Sequence, residues 1–353
     1  MLLHGRHYTR RELEAHVGRL EQVGGLRRLE RREGREEGGA VIQLRTGAGL
    51  MIEVTPDKGM DLSLAEFGGT PISWQSPAGD VHPAYYEPEG TGWLRTASGG
   101  LLMTCGLTQV GVPSIEGGEA HGLHGRIHHT PARGVCAEGV WQGDEYEMRI
   151  SGLLEEVALF GNRLQLRRDI RARLGDNRIT IRDEVYNAGF DPSPHMVLYH
   201  FNFGFPLLSE AAQLQFPAGA HVEPFGEGVP LAGYDRWEKP EADVSERVYE
   251  HELRLEQEWS EAAIRQPFFP VGGMTQPVEV KLRWQTAALP RLVQWRMPGA
   301  GVHALGLEPA NCRVAGIGAE RERGTLRMLA PGESAVYELE LSVGHGDEQG
   351  EKQ

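Results

Sequence analysis

Three short segments hold the residue types that acid–base chemistry needs. In the first, His121-Gly122-Leu123-His124-Gly125-Arg126-Ile127-His128-His129, four histidines fall within nine residues of a chain with 14 histidines in all. His121 and His124, or His124 and His128, have spacings that could grip a metal on a turn or helix. No Glu or Cys follows at a metalloenzyme spacing, however, and no metal is assigned. In an extended chain His124, Arg126 and His128 would share one face. The flanking glycines suit a ligand that approaches the backbone closely. The second segment is His195-Met196-Val197-Leu198-Tyr199-His200-Phe201-Asn202-Phe203. As a strand it turns Val197, Tyr199, Phe201 and Phe203 to one side and Met196, Leu198, His200 and Asn202 to the other. A histidine so placed is a proton carrier, or equally a core residue satisfied by a neighbour. The third is Leu305-Gly306-Leu307-Glu308-Pro309. It puts Glu308 at the end of an apolar strand, where a carboxyl with a raised pKa can accept a proton near neutrality. An exposed strand-end Glu is the alternative.

Short strands are what must position these residues. Ala40–Arg45 and Leu50–Val54 flank Thr46-Gly47-Ala48-Gly49 at hairpin spacing. Arg163–Arg173 and Asn177–Val185 alternate around Gly175-Asp176, and the same texture recurs at 278–284, 292–296 and 337–343. The 47 glycines and 21 prolines, spread along the chain, fit many turns. One helix is expected over residues 8–22, with Thr9 as N-cap, Glu12 completing a capping box, and Leu13, Val17 and Leu20 on one face. A weaker helical pattern lies around 244–258. Strands do not alternate with helices, so a doubly wound sheet is excluded, and no short repeat suggests a propeller. The expectation is a mostly β, antiparallel sandwich or barrel with a short N-terminal helix. Residues 1–39 would pack on a single domain spanning 40–344, and 345–353 would form a polar tail.

With 50 acidic and 36 basic residues the net charge is −14, which argues against nucleic acid and anionic membranes as partners. No apolar run is long enough for a membrane span or a signal peptide, and the expectation is a cytoplasmic protein. Cys105, Cys136 and Cys312 are too few and too scattered for a disulfide framework, and each reads as a buried structural thiol.

Taken in order, His-Gly-Leu-His-Gly-Arg (121–126), Tyr-His-Phe-Asn-Phe-Gly (199–204) and Leu-Glu-Pro (307–309) resemble the galactose mutarotase-like superfamily, which includes the aldose 1-epimerases. Asp57-Lys58-Gly59-Met60-Asp61, Ser98-Gly99-Gly100 and Leu329-Ala330-Pro331-Gly332-Glu333 are similar to a bacterial aldose-1-epimerase-like branch. The resemblance runs from about residue 40 to the C-terminus. It implies an antiparallel β-supersandwich with a sugar-binding cleft, His200 as general acid, Glu308 as general base, and His124 holding the substrate near its reacting end. The chemistry is interconversion of sugar anomers, with no cofactor. An aspartate that binds sugar hydroxyls in the superfamily has its best match in Asp235. Arg95, Arg126 and Asn202 are further candidate substrate contacts. Trp295, with Trp74 and Trp237, could stack on a sugar face. A neutral aldose is favoured over an anionic one. A non-catalytic carbohydrate-binding protein, or an enzyme of different chemistry on an unusual or anionic sugar, would use the same scaffold.

Overall fold

The computed structural model describes residues 1–346. Two antiparallel sheets make up most of the chain. The larger has eleven strands, ten of them in the order His221–Phe225, Arg247–Glu252, Arg291–Gly299, Val302–Ala310, Met196–Phe203, Leu102–Leu107, Asp61–Phe67, Leu50–Thr55, Ala40–Arg45 and Gly25–Glu30. The smaller has eight: Arg133–Gln142, Glu145–Val157, Arg163–Arg173, Arg178–Asn187, Ser334–His345, Met274–Gln285, Trp259–Val271 and Gln213–Gln215. This is the mostly antiparallel β architecture the sequence led us to expect. Gly25–Glu30 is an edge strand of the larger sheet, so the segment set apart as 1–39 contributes to it. The last strand reaches His345, and the rest of the expected tail, 347–353, lies outside the described residues. Among the described residues no helix is long and apolar enough to cross a membrane.

Strand alternation accounts for the packing. In Arg163–Arg173 every second residue is buried (Leu164, Leu166, Arg168, Ile170, Ala172) and the others face outward. The inward rows of both sheets meet in one core that includes Ile52, Leu62, Phe201 and Leu307 from the larger sheet and Ile150, Ile170, Ile181 and Leu339 from the smaller. The larger sheet is also covered on its other face. There Met103, Met196, Leu198, Val293 and Ala310 pack with Trp93, Val314 and Ile317 from loops and a short helix. That second layer lets Met196–Phe203 be buried along its whole length.

Helical expectations needed correction. The capping box at Thr9 and Glu12 is present, but the helix is only Arg10–His16: Val17 is extended, and a separate 3-10 turn follows at Leu20–Gln22. The weak pattern near 244–258 is the strand Arg247–Glu252, recruited by pairing with Arg291–Gly299. A helix at Ile317–Glu322 escaped the sequence pattern because it is only six residues long. Cys105 and Cys312 are buried in the second layer, whereas Cys136 is exposed, on the edge strand Arg133–Gln142.

The inward rows also carry charge. Arg168 lies opposite Asp183 on the neighbouring strand and binds it with Nε and Nη2, at 3.0 and 2.7 Å. From there it crosses to the larger sheet. Nη1 donates to Asp61 Oδ1 at 2.7 Å and to the Gly59 carbonyl at 3.0 Å, and Nη2 donates to Thr104 Oγ1 at 2.8 Å. Tyr199, also of the larger sheet, donates its hydroxyl to Asp183 at 2.8 Å. Removing one partner of such a buried group leaves bare charges in an apolar interior. Arg168→Met is therefore expected to lower the unfolding free energy by about 3–5 kcal/mol, measured by urea denaturation. The triple variant Asp61→Asn, Arg168→Met, Asp183→Asn should recover much of that loss. An Arg168→Met midpoint equal to wild type would show that the sheets do not depend on this cross-link.

Candidate active site

On the outer face of the larger sheet, neighbouring strands bring His200 and Glu308 together. The strand Met196–Phe203 pairs with Val302–Ala310 in a register that sets Phe201 against Leu307 and Asn202 against Gly306. His200 and Glu308 project away from the sandwich core, on the face they share with Leu198 and Ala310. Glu308 is not at the strand end, because the strand continues through Pro309 to Ala310. His200 Nε2 lies 3.1 Å from Glu308 Oε1, and the two side chains are nearly fully buried. Gly306 makes this contact possible. A Cβ there would stand 2.3 Å from Glu308 Oε1, 3.0 Å from Trp295 Cβ and 3.1 Å from His200 Cε1. The sequence marks this glycine only as a neighbour of Glu308, since its importance lies in register across three strands.

A cavity of about 660 Å³ opens over the pair. His124 reaches it from a loop, not from a strand. The backbone of His124 is left-handed (φ 56°) and anchored at both ends: its N–H donates to Gly111 O, and its carbonyl accepts from Gly106 N–H, each at 3.0 Å. The flanking glycines serve the protein's own backbone rather than a ligand. A Cβ on Gly125 would fall 2.4 Å from Gly106 O, and one on Gly122 2.1 Å from Pro88 O. The ring of His124 packs on Trp93 (5.0 Å between centroids) and edge-on to His200 (5.9 Å). Trp295 stands against His200 and Trp74.

Because the segment 121–129 is not extended, its other members scatter. His121 ends a surface hairpin strand. His128 Nδ1 meets Asp61 Oδ2 at 2.7 Å, and His129 bonds Thr96 and stacks on Tyr86. Arg126 is exposed and does not line the cavity, contrary to the strand-based expectation. Arg95 is exposed and paired with Glu87 at 3.3 Å, and Asp235 is exposed in a loop. Neither lines the cavity. Asn202 is buried beside the pair, its Nδ2 bonded to the His200 carbonyl. Trp237 is buried against His303, away from the cavity. Two polar-tipped cavity residues that sequence reading did not single out are Trp93 and Glu246. Trp93 lies in a loop with no periodicity. Glu246 precedes the strand Arg247–Glu252, and its carboxylate accepts from Trp295 Nε1 at 2.7 Å.

Electrostatics here are governed by burial. It drives the Glu308 carboxyl well above the usual range, and the Glu246 charge adds to the effect. It holds His200 down to about 3 and His124 to about 4. Thus near neutrality both imidazoles are neutral, and burial raises the affinity of the carboxyl for a proton. Glu308 Oε1, Nδ1 of His124 and of His200, Asn202 Oδ1 and Trp93 Nε1 find no hydrogen-bond partner among the described residues. Buried polar atoms left open in one place mark a ligand site.

A family model described as a domain of unknown function, DUF4432, matches residues 36–343. No curated protein sequence matches the chain. Among solved structures, a proposed aldose 1-epimerase from Klebsiella pneumoniae is 26% identical, with a TM-score of 0.80 over 91% of this chain and 83% of that one. A galactose 1-epimerase from Lactobacillus acidophilus (14% identity, TM-score 0.60) and a galactose mutarotase-like protein from Clostridium acetobutylicum (13%, 0.57) each align with 91% of this chain and 99% of their own. The last two share the fold alone. The architecture is that of the galactose mutarotase-like superfamily.

The signs of the shifts fix a pH dependence. A histidine with a depressed folded pKa contributes stability that is present above the unfolded value of 6.5 and lost as pH falls toward about 3. A carboxyl with a raised one contributes stability below its ordinary value and loses it as pH rises. Over the acid window, wild type should therefore lose stability faster than His200→Asn, by up to about 1.4 kcal/mol per pH unit, in denaturation series at stepped pH. Parallel curves would mean that His200 titrates normally.

Proposed function

This chain belongs to the DUF4432 family, and we propose that it is an aldose 1-epimerase-like isomerase, interconverting sugar anomers by acid–base chemistry at His200 and Glu308. The observation that carries this reading is the side-by-side placement of an imidazole and a carboxyl, 3.1 Å apart, at the floor of a tryptophan-walled cavity. The similarity to a proposed aldose 1-epimerase supports it.

A cyclic hemiacetal opens when the C1 hydroxyl loses a proton and the ring oxygen gains one. The bond from C1 to the ring oxygen then breaks, and C1 becomes a carbonyl. Rotation about C1–C2 and the reverse steps close the ring from the other face. The two oxygens are on one carbon, so the acid and the base must also be neighbours. Glu308 takes the hydroxyl proton as base and His200 protonates the ring oxygen. On closure the roles reverse, leaving the pair as it began. A proton that burial favours on Glu308 passes to His200 Nε2 across their contact as the sugar hydroxyl engages the carboxylate. His124 steadies the reacting end, and Trp295 and Trp74 offer apolar faces for the ring. Acid and base each contribute about 10²–10⁴ in rate.

Glu308→Gln and His200→Asn should each lower catalysed anomer exchange about 10²-fold or more, read by NMR saturation transfer between anomeric protons. Gly306→Ala should do the same by forcing the pair apart. Because burial lowers His200, the acid limb of the wild-type rate should lie well below the ordinary histidine value of 6.5. Wild-type rates no faster than spontaneous exchange, with sugars still bound, would replace the isomerase by a binding protein.

A further inference from the structure

Resting on the assignment of the cavity as a sugar-isomerising site, we propose that its substrate is a neutral deoxy sugar: a cyclic hemiacetal lacking hydroxyls beyond its reacting end.

The polar groups of the cavity are gathered at one place. His124, His200 and Glu308 stand together, with the unpartnered Nε1 of Trp93 beside His124. Immediately around them the floor is apolar. Across the strands, Met103 lies opposite His200 and Val293 lies opposite Glu308. The walls continue this character with Leu123, Phe225, Val248 and Val302. Ser76, Thr91 and Glu246 are the other polar lining residues, and Glu246 already accepts from Trp295. Arg, Lys, Asn and Gln do not occur among the described residues that line the cavity.

A fully hydroxylated aldose presents a hydroxyl at nearly every carbon. Each hydroxyl that meets Val or Met instead of a partner loses its bonds to water without replacement. A ring or exocyclic carbon bearing only hydrogen has nothing to lose there, and it gains contact with the three tryptophans. Anionic sugars fare worse still. Burial favours the neutral form of Glu308, so the acidic group left to meet a ligand is Glu246, while Arg95 and Arg126, the cations sequence reading assigned to substrate, lie outside the cavity. An anion would meet Glu246 with no counter-charge.

The test compares matched sugars by anomeric saturation transfer and, in parallel, by quenching of tryptophan fluorescence, which reports binding whether or not turnover occurs. Fucose is set against galactose, 2-deoxyglucose and a 2,6-dideoxyhexose against glucose, with glucose 6-phosphate and glucuronate as anions. The deoxy member of each pair should exceed its parent about 10- to 100-fold in kcat/KM, the range a hydrophobic pocket achieves against an added hydroxyl. It should also bind more tightly, and the anions should be poorest. Val293→Asn should narrow the gap by giving a hydroxyl a partner. Parent sugars equal to or better than their deoxy counterparts would overturn the proposal, as would an anionic sugar that ranks first. If nothing is exchanged but deoxy sugars still bind best, the isomerase falls and the ligand class stands. No quenching by any deoxy sugar overturns the ligand class too.

Discussion

A guanidinium buried between two sheets is the constraint on which the rest of this molecule depends. Arg168 is tied to Asp183 within its own sheet and to Asp61 and Thr104 in the other. Asp61 in turn holds His128 and the Thr104 backbone. Buried Lys58, brought down to about 8 chiefly by burial, donates to Thr96 O and Ser98 Oγ, and His129 bonds Thr96. Thr96 and Ser98 flank Ala97, and the Thr96 N–H donates to Trp93 O, so these bonds hold the turn that puts Trp93 and Ala97 on the cavity wall. His128 and His129 fix the segment from which His124 reaches the floor. The contacts thus run unbroken from the sandwich core to the site. Charge pairs of this kind are poor sources of net stability but strong specifiers of arrangement, since every alternative packing strands a charge.

The site itself is held in a state that a packed core would avoid. His200 and Glu308 sit on a sheet face otherwise filled by Met103, Leu198, Val293 and Ala310, with several polar atoms left open. Gly306 gives up a side chain so that they can touch. Departures from packing rules that converge on one cavity are expected where function resides.

How much of this was legible in the sequence followed from how local each determinant is. Hairpin spacing located strands at 40–45 and 50–54, and period-two alternation, written by one buried face, located them at 163–173 and 177–185; the same period put His200 opposite the Tyr199 face. The edge strand Arg133–Gln142, exposed over most of its length, writes no such pattern and went unseen. The resemblance to a known superfamily brought His124, His200 and Glu308 into one frame. Arg126 failed because its placement rested on treating 121–129 as a strand. The left-handed His124 and the close approaches at Gly122 and Gly125 instead make it a folded loop, a matter of tertiary packing. Arg95 and Asp235 failed for the same reason: a loop residue's direction is set by what it packs on. Glu246, Trp93 and Gly306 gain their roles only through partners far away in sequence.

The apolar lining links two properties of the cavity. The burial that pushes Glu308 up and His200 down comes from the same lining that would leave the hydroxyls of the proposed sugar without partners. Polar side chains placed there to greet hydroxyls would solvate the carboxylate, lower its proton affinity, and move the resting proton toward the imidazole. In a dry setting both groups stay near neutral, and the cost of separating charge is met only when an incoming hydroxyl donates to the carboxyl. Proton placement and ligand selection are therefore not independent features. A substitution that made the walls more polar would alter the acid–base pair even without touching it, and the apolar character of Met103 and Val293 belongs to the chemistry as much as to the packing.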